Sequence, residues 1–262
     1  MMLWEVAEIL ATLVPDAWTR FQFRRFWGQG IQSGEAFFVI DSYEDVRLRN
    51  GLRYAEAQSL PSAQPVHAQE IIHGTFAPQA AAALTELFLR HAGRPLRIGT
   101  DSELHDKKDA TLISYGTSDS NYKTFDIEAT SENDLCRFLF NGSGQRAFHM
   151  GGRTHSIERR DGVIYDKAIL LRLVNRQYPQ HCSVVCAGLS EWGSLASVHY
   201  LAKNWKTLHR RFDRFGQRRD FCVLLEVPFG QFENAREVAT AAWWEPKTKP
   251  QRNGGLRKGP ER

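Results

Sequence analysis

The chain has 262 residues, 42% of them apolar and 24% charged, with a formal net charge of +4. That length gives one large domain or two small ones with a sizeable core, and the composition excludes a wholly disordered or fibrous protein. The charge does not describe the body: residues 246–262 hold six lysines and arginines against Glu261, a balance of +5 that leaves the other 245 residues at −1.

Cys136, Cys182, Cys186 and Cys222 are too few and too scattered for a disulfide scaffold, and no Cys-x-x-Cys or His-x-x-x-His pair offers chelating spacing. They are expected to be small core residues, and no metal is expected. The opening Met-Met-Leu-Trp-Glu-Val-Ala-Glu is broken by Glu5, Glu8 and Asp16, which fits neither a signal peptide nor a membrane span. The expectation is a cytoplasmic protein in three parts: an N-terminal helical and aromatic segment (1–30), an α/β domain (31–245) and a disordered basic tail (246–262). Touching nucleic acid or acidic lipid is the functional reading of that tail, and a solvated terminus the favoured one.

In chain order, Leu3, Val6, Leu10, Leu13 and Val14 give an amphipathic helix ending near Pro15. Trp18, Phe21, Phe23, Phe26 and Trp27 follow with Arg24 and Arg25, a cluster suited to a membrane surface, to docking a protein partner or, more commonly, to packing on the domain body. Residues 36–40 are a continuous apolar run, hence a buried strand ending at Asp41; residues 42–68 are polar and irregular. A helix is predicted over 78–91, closed by Gly93 and Pro95, then strands at 96–99 and 110–115. Asn141-Gly-Ser-Gly144 and Gly151-Gly152 are turn signals within a stretch where short antiparallel strands fit. Strands are predicted at 168–174, 183–187 and 221–227, a long helix from about Glu191 to Phe212, and a closing helix over 229–244.

Strands alternating with helices predict an α/β fold with a mostly parallel sheet covered by helices on both faces, a Rossmann-like three-layer arrangement. Ligands of such sheets bind beyond the carboxyl ends of the strands. Two strand–loop–helix junctions stand there. In the first, Gly188 and Gly193 would let a ligand approach a helix start, with Ser190 and Ser194 as hydroxyl donors. Its spacing imitates a P-loop without the lysine, which excludes a nucleoside-triphosphatase. The plainer reading is a helix capped by Ser190. The second junction, Gly116-Thr117-Ser118-Asp119-Ser120-Asn121, offers small hydroxyl and amide groups; alone it is a polar turn, and beside the first it forms a shared pocket for an anionic small molecule. Gly99-Thr100-Asp101-Ser102-Glu103 and Asp41 end strands at the same edge. His105, His149, His155 and His199 form no Ser–His–Asp order, and the arginines between 210 and 219 read as a solvated helix end.

At Gly116–Asn121 and Gly188–Ala196 the chain resembles Rossmann-like nucleotide-handling domains of prokaryotic signalling and immune systems, of the SLOG and TIR type. The likeness covers two loops and the strand order around them, well under a quarter of the chain, and completes no diagnostic motif. It implies either a sensor of a nucleotide-derived messenger or an enzyme cleaving a nucleoside's glycosidic bond, with a nucleotide or NAD-like ligand. In the cleaving enzymes a glutamate near a helix start acts, and Glu191 matches it; a carboxylate there also simply complements the helix dipole. Three functions stay open: a nucleotide-like-anion sensor, an NAD or nucleoside glycosidic-bond hydrolase or transferase using Glu191, and a protein-interaction module without a small ligand.

Overall fold

A computed structural model describes residues 17–41, 66–130, 135–140, 146–213 and 218–243. The amphipathic helix read near the N-terminus, the polar stretch 42–65, the Asn141–Gly144 turn and the basic tail lie outside the described residues.

The apolar runs become strands of one eight-stranded mixed sheet. In the order β2 (Arg97–Thr100), β1 (Ala36–Ile40), β3 (Thr111–Tyr115) and β9 (Cys182–Gly188) the strands are parallel. β8 (Val163–Val174) then pairs antiparallel with β9, followed by β10 (Phe221–Pro228) and β11 (Arg236–Ala242), each antiparallel to its neighbour; β7 (Glu158–Arg160) makes a hairpin with β8. The predicted closing helix over 229–244 is therefore replaced by β11. Antiparallel pairing with β10 makes it a strand, and a register shift between Leu224 and Leu225 lets Glu237 and Thr240, three residues apart, both bind Arg211 of a helix.

Strand periodicity divides the core between two faces. On one face Phe38, Ile113, Tyr115, Leu170, Val184, Cys186, Val223 and Leu225 pack against helices α1 (17–27), α2 (Val66–Ala92) and α4 (Glu191–Phe212). α4 forms as its periodicity predicts, burying Leu195, Val198, Leu201, Trp205 and Leu208. α1 delivers Phe23, Phe26 and Trp27 into this core, each wholly buried, while Trp18 and Phe21 stay exposed. Burying three such rings contributes about 1.5–3 kcal/mol each. α2 runs through Pro78 and starts twelve residues earlier than the sequence suggests.

The other face carries Ile169, Leu171, Val185, Ala187, Cys222 and Leu224. Helices were expected there too. Among the described residues it is covered by one nine-residue helix, α3 (Tyr122–Thr130), and by a three-stranded antiparallel sheet of β4 (Arg137–Phe140), β5 (Arg146–Met150) and β6 (Arg153–Ser156), turned at Gly151-Gly152. All four cysteines are buried and free. Among the described residues no helix is long and apolar enough to cross a membrane.

One topological feature positions the site. After β1 the chain returns to β2 through α2, on the first face; after the adjacent β3 it enters α3, on the second. Connections leaving neighbouring parallel strands to opposite faces open a crevice between their carboxyl ends. Asp41 and Gly116 follow β1 and β3 there.

Candidate functional site

The start of α4 holds an anion supplied by the chain itself. Asp166, in the first half of β8 and wholly buried, receives Ser190 N (3.2 Å), Ser190 Oγ (2.5 Å) and Gly193 N (2.9 Å) on one oxygen and Lys167 N (2.7 Å) on the other. Ser190 occupies the N-cap position with extended backbone, but its hydroxyl turns to Asp166 and makes no cap bond to the helix. Ser194 Oγ accepts from Gly188 N at 2.9 Å. A carboxylate therefore sits where the free amides and helix dipole favour negative charge. Sequence reasoning missed Asp166. Its one signal was an acidic residue leading into the apolar run of β8.

Burial pushes the Asp166 carboxyl up to about 6, although the hydrogen bonds from Ser190, Lys167 and Gly193 favour its ionised form. The folded protein thus binds this proton more tightly than the unfolded chain does. Its contribution to stability is full below the ordinary value of 3.8 and is lost as pH rises through about 6. Glu226 acts with the opposite sign. Burial alone would raise it, but hydrogen bonds from Arg160, Lys167 and Arg236 hold it at about 2, so its stabilisation is present above 4.5 and lost as pH falls. Urea unfolding of Asp166→Asn between about pH 4 and 6 should lose the downward slope that the parent shows relative to it. Identical slopes in the two proteins would remove Asp166 from this account.

The second junction is also internally satisfied. Gly116 adopts φ 104°, a left-handed conformation that ends β3. Asn121, wholly buried, accepts from Ser114 Oγ (3.0 Å), Lys123 N (2.9 Å) and Thr124 N (3.2 Å), which caps α3. Its amide nitrogen donates to Val39 O (3.2 Å) and Tyr115 O (3.0 Å), tying β1 to β3. Thr117 Oγ1 donates to Asp119, and Asp119 pairs with Arg146 of β5 at 2.8 Å. Ser118 and Ser120 sit half-buried in the same turn. Asp101, after β2, accepts from Tyr122 N at 2.7 Å. The rest of that third loop closes on itself, with Glu103 accepting from Thr100 N at 2.9 Å.

Between the two junctions the Tyr115 and Glu191 side chains meet at the crevice, with the charge of Asp41 near enough to act on the phenol. The buried Tyr115 hydroxyl, at the end of β3, donates to Glu191 Oε2 at 3.2 Å across to the first turn of α4. Burial, then the charges of Glu191 and Asp41, push this phenol well above its ordinary range, so it remains a donor. Glu191 and Asp41 are both half-buried. Beside Glu191, Trp192 lies against Phe76 (4.7 Å between ring centroids), Phe229 (5.8 Å) and Phe232 (6.4 Å), and Phe229 is 49% exposed.

No family model, no curated protein and no solved structure matches the chain. The site is thus described by its own geometry. Of the residues expected to bind a ligand, Gly188, Ser190, Gly193 and Ser194 are gathered around Asp166, and Gly116, Thr117, Asp119 and Asn121 around the start of α3. Glu191 is the one that reaches the crevice together with Tyr115. The histidines are apart: His105 stacks on Tyr122, His199 lies tilted against Phe232, and His149 and His155 lie on β5 and β6. The arginines near the end of α4 are not simply solvated, since Arg211 pairs with Glu237 and Arg219 is buried. Among the described residues no group of three or more His, Cys, Asp or Glu could hold a metal ion.

Proposed function

We propose that the chain is a small-ligand-binding α/β module, a sensor whose ligand is nucleotide-like and seats at the crevice between β1 and β3. The observation that carries this reading is the Tyr115–Glu191 hydrogen bond at the point where the strand connections diverge. The chemistry of the crevice narrows the part of the ligand involved. Asp41 and Glu191 repel phosphate, while two carboxylates and a phenol suit the vicinal hydroxyls of a ribose. Both neighbouring helix starts already hold side chains of the protein, so the phosphates belong outside this acidic spot. Trp192 and its aromatic neighbours offer a stacking surface for a base close to Glu191.

The same hydrogen bond supports a second reading, hydrolysis or transfer at the glycosidic bond of NAD or a nucleoside. A carboxylate oriented by a phenol is placed to stabilise an oxocarbenium-like centre.

Thermal unfolding against nucleosides, nucleotides, NAD and ADP-ribose tests both. A ligand at a hundred times its dissociation constant should stabilise the protein by about 2.7 kcal/mol. Tyr115→Phe and Glu191→Gln should each shrink that shift. Product formed from NAD or a nucleoside, and abolished by Glu191→Gln with binding retained, would establish the hydrolase. No shift with any member of the panel would overturn the ligand reading in favour of a protein-interaction module.

A further inference from the structure

The opposite edge of the sheet holds a second, chemically different recess. A cavity of about 290 Å³ opens at the amino ends of β3 and β9, beside the last residues of β8 and under α3. Leu112, Ile127 and Leu173 give it an apolar floor. Its lining is basic: Lys107, Lys108, Lys123 and Arg176 face Asp126 and Asp220.

Four cations thus face two carboxylates across the recess. Asp220 accepts Val174 N at 2.6 Å, which commits one of its oxygens to the backbone. Asp126 lies 3.4 Å from Lys123 Nζ. Lys123 is the telling group. Its side chain is 1% exposed, and its ammonium donates to His105 O at 2.9 Å. An ammonium has three donors, and among the described residues one carbonyl and one distant carboxylate take two of them. Burial pulls its pKa down, so an added anion would relieve a real cost. Lys107 is held at the rim by Asp109 at 2.9 Å, and Arg176 by the ring of Trp243 at 4.6 Å. Lys108 is exposed and makes no ion pair among the described residues. Asn175 Nδ2 donates to Lys108 O at 2.7 Å, which clasps the two walls together.

We propose that this cavity binds a small phosphomonoester, its phosphate among Lys108, Lys123 and Arg176 and its carbon body on Leu112, Ile127 and Leu173. Lysine ammoniums act as point charges and suit a compact dianion. The volume stands at the lower end of small-molecule sites, which excludes a whole dinucleotide. The site is independent of the crevice at the carboxyl edge, so neither reading rests on the other.

Titration calorimetry of the full chain with inorganic phosphate and with glycerol phosphate tests it at low salt. Saturable one-to-one binding is expected, tighter for the ester because of the apolar floor. Lys108→Glu should weaken it by at least about tenfold. Lys203→Glu, the same charge change on the exposed face of α4, should leave it within about twofold, as should Glu191→Gln. Lys123→Met, checked for folding by circular dichroism, should abolish binding. Equal losses in Lys108→Glu and Lys203→Glu, or no saturable binding of either probe, would overturn the proposal.

Discussion

Asp213→Ala is expected to destabilise the protein by about 3–5 kcal/mol, close to the whole stability of many domains. Asp213 follows the last turn of α4, and its carboxylate accepts from the two terminal nitrogens of a buried guanidinium. Arg172 Nη1 reaches Oδ2 at 2.9 Å, and Nη2 is bonded to Oδ1. His209 Nδ1 lies 2.8 Å from the same Oδ2. Arg172 is wholly buried in β8, stacked between the rings of Phe26 and Phe221 at 4.7 Å each, and donates to Phe26 O and Arg219 O. The residue thus joins α1, α4, β8 and the approach to β10. Burial would raise the Asp213 carboxyl, but Arg172 and His209 outweigh it and hold it below its ordinary value. Removing the carboxylate strands a charge in the core, which costs more than the pair itself contributes.

A double-mutant cycle in urea separates these two quantities. Arg172→Met alone should also destabilise, since it orphans Asp213, yet Arg172→Met with Asp213→Ala should cost less than the sum by at least about 1 kcal/mol. An Asp213→Ala loss below about 1 kcal/mol would mean that water reaches Arg172, contrary to its burial. Glu191 stands at the far end of the same 22-residue helix, roughly 30 Å away. Ligand affinity per folded molecule should therefore be unchanged.

What the sequence made legible follows from how local each signal is. β1, β3, β9, β10 and the second half of β8 are short, mainly apolar runs, and α4 repeats its apolar residues every three or four positions, so each could be read within its own span. β11 could not. Arg236–Ala242 carries three alanines and a glutamate, which favour helix when isolated, and only pairing with β10 makes it a strand. The helix expected over 78–91 from its apolar spacing begins instead at Val66, with Pro78 inside it. The Asp161-Gly162 hairpin between β7 and β8 was a legible signal passed over, with φ 50° and 78° at the two residues. At the site, the edge of the sheet and Glu191 were readable, whereas Asp166 was not. Its bonds to Ser190 and Gly193 span 24 and 27 residues, and no local pattern announces a carboxylate that arrives from another strand.

That non-local contact also explains the glycines, and it makes Gly188→Ala the second large effect, at least about 3 kcal/mol. Sequence reasoning gave Gly188 and Gly193 to the approach of a ligand. What approaches Gly188 is the first turn of α4: a Cβ there would overlap Ser194 N and the Cα and C of Gly193. These are backbone atoms, so no rotamer change relieves the overlap and the helix start itself must move. A Cβ on Gly193 would in turn meet Asp166 Oδ2 at 2.5 Å and Gly188 Cα at 2.9 Å. Displacing the turn lengthens the bonds from Ser190 and Gly193 to Asp166 and carries Glu191 away from Tyr115, so Gly188→Ala should lose stability and ligand response together. Gly230→Ala is the matched control. It meets nothing within 4 Å and carries only the strain of φ 82°, worth about 1 kcal/mol. Urea unfolding followed by circular dichroism reads both variants. A Gly188→Ala cost no larger than that of Gly230→Ala would show that the strand end and the helix start are not in contact, and Asp166 would then have no reason to be buried.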